Sequence, residues 1–389
     1  MSPAKRIKFP QAHTERTPPG HGRQKQFGKE RRPIGDPVAA PKEPLGFETP
    51  PPPAVPGNFH LPLKAIVPKV AARAEESKKL VFHCVGDTGG IHGESVQTAI
   101  AEAMEAQITK TDGADQPAFL YHLGDVVYFN GVSREYKWQF YEPYQYYAAP
   151  IFAIPGNHDG ATHVYPGDPP DPEPTLTGFL RNFCDSSPHE APHRPTMTQP
   201  YVYWTLDAPL VTIIGLYSNV EGSLDARGRS EQQQWLTAEM KAAPPDKKLL
   251  IAVHHPCFSL DKPHGGCPDI LTAIDSAIVT SNRLPNAVLS GHVHNYQRFS
   301  REIDGTRVPY IVAGAGGYAN EPKAMHELQE NIDTSLPYQT TRADVQLENA
   351  NHEEPGYLLV TVTDADITFD YFSVPFNGSP PSRFDTITV

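Results

Sequence analysis

Short apolar runs that break off at a glycine or a polar residue recur along this chain from residue 80 onward. They are LVFHCVG (80–86), AFLYHLG (118–124), IFAIPG (151–156), LLIAVHH (249–255), AVLSGHVH (287–294) and PYIVAGAGG (309–317). Such runs are too short for helices and do not alternate, so they read as strands buried on both faces. Between the first two, Val96, Ile100, Met104 and Ile108 lie four apart and predict a helix over 94–108. Ser133–Tyr147 reads as a further helix whose rings, Tyr136, Trp138, Phe140 and Tyr144, are expected to pack in the core. A short helix is expected at about 175–183, and Ser230 with Gln233 reads as a capping box for a helix reaching Ala242. YVYWTL (201–206) and LVTIIGLY (210–217) predict a hairpin, and GYLLVTV (356–362) with DITFDYFSV (366–374) an antiparallel close. Strands that alternate with helices but include hairpins imply an α/β fold of two stacked mixed sheets flanked by helices.

Proline changes this picture at two places. The 42 prolines concentrate in residues 10–68 and 150–200, where they oppose regular structure. Residues 1–78 therefore read as a proline-rich N-terminal extension, and 79–389 as one folded domain with a loop insertion at about 160–200. A long irregular segment placed directly after a strand end is where enzymes keep specificity loops.

The net charge of -12 argues against a general attraction to nucleic acid, although residues 1–32 form a basic arm. No run approaches the roughly 20 apolar residues that cross a bilayer. The first residues, MSPAKRIKFPQAH, lack the apolar stretch of a secretory signal, so cytoplasm is the default expectation, with periplasm or secretion if a leader precedes this chain. Oligomeric state leaves no signature. The four cysteines lack zinc-knuckle spacing; Cys84 reads as a small buried hydrophobe, and Cys257 and Cys267 flank a loop that a disulfide would close in an oxidising compartment.

The chemistry sits at the ends of the strands. Gly86-Asp87-Thr88-Gly89, Gly124-Asp125-Val126-Val127-Tyr128, Gly156-Asn157-His158-Asp159, His254-His255-Pro256 and Gly291-His292-Val293-His294 each follow an apolar run. An Asp after Gly is by itself usually a turn, but so many polar strand ends in one chain are difficult to explain as turns. If the strands are neighbours, Asp87, Asp125, Asn157, His254, His292 and His294 converge in the crevice beyond their carboxyl ends. A carboxylate can bridge two cations while imidazole and amide oxygen fill the remaining positions. Two cations so held would activate a bridging water for in-line attack on phosphorus.

Together these motifs resemble the calcineurin-like metallophosphoesterase superfamily over about residues 80–317, and within it the purple acid phosphatase branch. The branch rests on Gly89 in GDTG, where many relatives have histidine, and on Tyr128 in GDVVY. The resemblance implies a four-layer αββα sandwich and a metal site of Asp87, Asp125, Tyr128 and His294. A second site would take Asp125, Asn157, His254 and His292. It implies Fe(III) paired with Fe(II), Zn or Mn, with a Mn or Zn pair as the alternative, and a Tyr128 phenolate on the ferric ion. His158 would steady the phosphoryl group and protonate the departing oxygen, and Asp159 would orient His158 or simply close a turn.

Other assignments stay open. Neighbours in a strand face opposite ways, so only one of His254 and His255 can face the metals; His254 holds the motif's place, and His255 lines the entrance or packs. Tyr296 and Arg298 alternate with His294, which would let Arg298 contact substrate phosphate. His163, His189, His193 and His264 read as surface histidines. The expected reaction is hydrolysis of small phosphate monoesters, with a Mn or Zn phosphodiesterase or phosphoprotein phosphatase as the alternative and a non-catalytic binding protein on the same fold third.

Overall fold

The computed structural model describes residues 33–38, 48–54, 57, 59–90, 93–163, 170–220, 224, 231–318, 325–332 and 336–389. Its strands are β1 (His60–Pro62), β2 (Lys79–Val85), β3 (Leu120–His122), β4 (Ile151–Ala153), β5 (Trp204–Asp207), β6 (Val211–Leu216), β7 (Lys248–Val253), β8 (Ala287–Ser290), β9 (Tyr296–Ile303), β10 (Thr306–Ala313), β11 (Tyr338–Gln339), β12 (Val345–Asn351), β13 (Gly356–Thr363), β14 (Ile367–Ser373) and β15 (Ser382–Thr388). Its helices are α1 (Leu63–Ile66), α2 (Pro68–Ser77), α3 (Ser95–Lys110), α4 (Asn157–Gly160), α5 (Thr177–Phe183), α6 (Glu231–Ala242) and α7 (Pro268–Ser281).

The strands form a 9-stranded sheet, ordered β1-β5-β6-β7-β8-β10-β9-β12-β11, and a 6-stranded sheet, ordered β15-β14-β13-β2-β3-β4. Both are mixed, as the sequence pattern predicts. β2, β3 and β4 run parallel in one sheet, and β6, β7, β8 and β10 run parallel in the other.

The unbroken apolar runs are explained by burial of both sheet faces. In β7, Leu250 and Ala252 face a core between the sheets, joined there by Phe82, Phe119, Phe152, Trp204 and Tyr371. The alternate residues Leu249, Ile251 and Val253 belong to the outer core that includes Leu236 of α6 and Ile274 of α7. Burying every residue of a central strand stabilises by about 1.5–3 kcal/mol per large apolar side chain. These strands are therefore the rigid floor on which the loops at their ends are mounted.

Several expectations need correction. Regular structure begins before residue 79: β1 pairs in parallel with β5, and Leu61, Leu63, Ala71 and Ala74 are buried. Pro62 and Pro68 cap or open the short helices α1 and α2, positions where a missing N–H costs nothing. Residues 133–147 form no single helix but a 3-10 turn at Ser133–Glu135 and a π-helical turn at Lys137–Tyr141. Tyr136, Phe140 and Tyr144 do pack in the core, whereas Trp138 stays half-buried beneath the Lys137 ammonium, 4.1 Å from its ring centre. Ser230 lies outside the described residues, and the Gln233 side chain donates to the Ala273 carbonyl of α7 at 2.9 Å. All four cysteines are free thiols, including Cys257 and Cys267. Burial pushes the Cys257 thiol far up. No helix among the described residues is long and apolar enough to cross a membrane.

Candidate metal centre

Each ligand candidate sits just past the carboxyl end of a parallel strand: Asp87 after β2, Asp125 after β3, Asn157 after β4, His254 after β7, and His292 and His294 after β8. The chain must turn sharply at these ends, and Asp87, Asp125 and His292 adopt left-handed backbone with φ of 59°, 53° and 67°. Non-glycine residues pay for that conformation, and it gathers at functional sites. The glycines before them serve close approach instead. A Cβ on Gly156 would collide with the Asp125 carboxylate, and one on Gly291 with that of Asp87.

Two groups of donors result, with Asp125 in the second and close to the first. In one, the Tyr128 hydroxyl lies 3.2 Å from Asp87 Oδ1 and 3.3 Å from His294 Nε2, while Asp87 Oδ1 and His294 Nε2 are 3.5 Å apart. In the other, Asn157 Oδ1 lies 3.1 Å from His254 Nε2 and 3.0 Å from His292 Nδ1, and Asp125 Oδ2 lies 3.4 Å from His254 Nε2. Potential ligand atoms of Asp125, His254 and His292 all fall within 4.8 Å of one another. The backbone helps hold the carboxylates: the His292 amide donates to Asp87 Oδ2 and the His158 amide to Asp125 Oδ1, both at 2.8 Å.

The donor set suits cations. His254 Nδ1 is held 2.8 Å from the Leu123 carbonyl, so a neutral ring carries its proton there. Its Nε2 then turns a lone pair toward Asn157 Oδ1 and Asp125 Oδ2, acceptors facing an acceptor, an arrangement that only a proton or a metal ion resolves. With a proton as the counter-charge, His254 rises to about 9: burial opposes the rise and the Asp125 carboxylate outweighs it. Burial drives the Asp87 carboxyl up to about 8 against the pull of the His254 charge, and Asp125 adds to the rise. Asp125 is held well below the usual carboxylate range, because the His254 and His158 charges outweigh its burial. Burial first, then neighbouring imidazoles, keeps His292 and His294 neutral, with lone pairs free to ligate.

Around this set the other candidates divide. His158 Nδ1 lies 2.7 Å from the Phe129 carbonyl, and its ring packs 4.5 Å from that of Tyr128. Asp159 does not orient it. The Asp159 carboxylate accepts the amides of Val126 at 3.1 Å and Gly156 at 2.8 Å, fastening two ligand loops together. His255 Nδ1 is 2.7 Å from Ser218 Oγ, its Nε2 is buried without a protein partner among the described residues, and its ring stands 4.3 Å from that of His292. Arg298 is turned away: its guanidinium pairs with Asp385 at 2.7 Å, and Tyr296 donates to the same carboxylate. His163, His189 and His193 are exposed as expected. His264 is a correction, since its ring lies 4.7 Å from that of His292 and 4.5 Å from that of His326.

Sequence reasoning did not reach His122, Tyr318 or His326. Buried His122 accepts the Gly124 amide at Nδ1 and meets Thr88 Oγ1 at 2.8 Å, joining two ligand loops. Tyr318 stacks on Tyr128 at 4.0 Å. His326 joins Asp261 and His264 in a second group of possible ligands within 4.8 Å. Protein donors already use part of that set. His326 Nδ1 accepts the His294 amide at 3.1 Å, and the Asp261 carboxylate accepts Ser259 Oγ at 3.0 Å and the Gly265 amide at 2.6 Å. His122 ends β3 within an apolar run and Tyr318 follows one, places where an aromatic ring reads as core packing, while His326 stands alone in a loop.

The αββα sandwich and its cluster of carboxylates and imidazoles at the strand ends define a binuclear metal-binding phosphoesterase class. Residues 64–296 match the family described as calcineurin-like phosphoesterase, and this chain belongs to it. It is 27% identical over 135 residues to purple acid phosphatase 21 of Arabidopsis thaliana, 32% of this chain and 29% of that one. It is 28% identical over 149 residues to the probable glycerophosphodiester phosphodiesterase GpdQ of Arcobacter nitrofigilis, 38% of this chain and 45% of that one. The aligned stretches thus span less than half of either relative. Among solved structures, purple acid phosphatase PPD1 of yellow lupin superposes with a TM-score of 0.55 at 16% identity, over 80% of this chain and 53% of that one. GAP50, the anchor in the inner membrane complex of Plasmodium, superposes with a TM-score of 0.56 at 13% identity, over 80% and 88%. At these identities the superpositions speak for the fold alone. Purple-acid-phosphatase-like relatives are consistent with that branch.

Proposed function

We propose that this chain hydrolyses phosphate esters at a two-metal centre, with small monoesters as first substrates and a ferric ion beside Fe(II), Zn or Mn. The observation that carries the branch is the Tyr128 hydroxyl standing between Asp87 Oδ1 and His294 Nε2 at 3.2 and 3.3 Å. Asp87, Asp125, Tyr128 and His294 would hold one ion, and Asp125, Asn157, His254 and His292 the other. Such a pair, when bound, neutralises phosphate oxygens and lowers the pKa of water.

The chain's own groups supply binding and proton transfer. His158 is fixed through Nδ1 by the Phe129 carbonyl, which leaves Nε2 as the atom that would give a proton to the leaving oxygen when the ring is in its imidazolium form. His255 is fixed through Nδ1 by Ser218 and keeps Nε2 without a protein partner among the described residues, beside His292, suited to bind a phosphate oxygen. With Arg298 committed to Asp385, no guanidinium is assigned to the phosphate.

A diester reading is supported by the likeness to the probable glycerophosphodiester phosphodiesterase. Elemental analysis with a visible spectrum, run beside turnover of an aryl phosphate monoester and its bis-aryl diester, separates the readings. Iron, a visible band and faster monoester turnover are expected. A colourless Mn or Zn protein preferring the diester would replace the first reading with the second, and a metal-loaded protein that turns over neither would point to a binding role.

A further inference from the structure

We infer that His326 is a positioning residue for the metal ligand His294, doing by backbone clasp and ring stacking what a hydrogen bond ordinarily does for a ligating imidazole. The inference rests on the two-metal reading above. An imidazole that ligates a metal through one nitrogen usually donates its other N–H to a fixed acceptor, which sets the ring's orientation. His254 follows that rule, with Nδ1 at the Leu123 carbonyl, 2.8 Å away. His294 does not. Its Nε2 faces Asp87 and Tyr128, while its Nδ1 is buried with no protein hydrogen-bond partner among the described residues.

What holds His294 is His326. The His294 amide donates to His326 Nδ1 at 3.1 Å, and the His326 amide donates back to the His294 carbonyl at 3.1 Å. The two rings lie 4.2 Å apart at 22°. Ring and backbone of the ligand are therefore fixed by the same residue, so a rotation of His294 about its side chain would break the stack.

His326 is itself anchored on both sides. Asn295 Nδ2 donates to its carbonyl at 2.7 Å. The residues after it pair with 260–262: the Lys262 amide donates to the Glu327 carbonyl at 2.8 Å and the Gln329 amide to the Leu260 carbonyl at 2.9 Å. His264 stacks 4.5 Å away on the His326 ring. The 325–329 segment is thus a strut between the 260–264 loop and the metal-bearing turn after β8.

The test compares the wild-type chain with His326→Ala, His326→Asn and His326→Phe. Asn keeps an acceptor near the place of Nδ1, and Phe keeps a flat ring without the acceptor. Three quantities are measured: metal equivalents after dialysis, the rate of metal release to a chelator, and the unfolding midpoint of the metal-free protein. Two equivalents are expected for the wild type. In His326→Ala one of them should be held about 10- to 100-fold more weakly, with partial recovery in Asn and Phe and a metal-free midpoint close to wild type for at least one variant. Wild-type retention of both ions in His326→Ala would overturn the inference. So would metal losses that merely follow a lowered metal-free midpoint across the three variants, or the loss of a third equivalent, which would place an ion at Asp261, His264 and His326. A wild-type protein that binds no metal would instead sink the two-metal reading itself. If His326→Ala does not fold, the Asn and Phe variants decide by the same criteria.

Discussion

The Tyr128 hydroxyl and His294 Nε2 lie 3.3 Å apart at the buried end of the crevice, although they come from loops that follow different sheets. Burial pushes the phenol far above its ordinary range, with the Asp125 and Asp87 charges adding to the rise. An ionised Tyr128 is therefore out of reach without a cation beside it. Tyr128→Phe should abolish any visible charge-transfer band while leaving the fold intact, as read by absorbance and circular dichroism. An unchanged spectrum would remove the phenol from the ligand set.

His158 touches the site in two ways: its amide donates to Asp125 Oδ1 at 2.8 Å, and its ring is tethered to Phe129. Replacing the ring leaves the amide in place. His158→Ala should lower kcat by about 10²- to 10⁴-fold, the usual worth of a positioned acid, while metal content per chain stays at the wild-type value. Equal losses of turnover and metal would make its role structural.

The candidate metal ligands were legible because most of them follow a glycine or an apolar run at a strand end, and the fold places those ends together. Arg298 misled because side-chain alternation holds only within a continuous strand. His294 precedes β9, which starts at Tyr296, so the count restarts and Arg298 reaches Asp385 in β15. His264 and His326 lie in loops where no periodicity applies, and only the pairing of 260–262 with 327–329 brings them to the site. Prolines misled in the other direction: Pro62 and Pro68 read as breakers but stand where a helix accepts them. β9, with its repeated arginines and serine, offered too weak an apolar pattern to be seen as a strand.

His60 gives the fold a pH dependence of its own. Its Nδ1 lies 2.9 Å from Asp207 and its Nε2 3.0 Å from Glu239, so both nitrogens face carboxylates and both carry protons. Hydrogen bonds to Asp207 and then Glu239 outweigh burial and raise the ring to about 10 from 6.5. A raised pKa means the folded state holds the proton more tightly. The stabilisation is thus complete below about pH 6.5 and is lost as pH climbs toward about 10. His60→Gln should therefore destabilise most near pH 6 and progressively less toward pH 10 in thermal melts. A constant difference across that range would contradict the charged clamp.

The central claim is that Asp125 serves two cations at once. Anomalous diffraction from crystals of the protein purified without added metal reads this directly, beside the same measurement on Asp125→Asn. Two peaks flanking the Asp125 carboxylate, both lost in the variant, are the predicted result. A single peak, or density centred on Asp261, His264 and His326 instead, would contradict it.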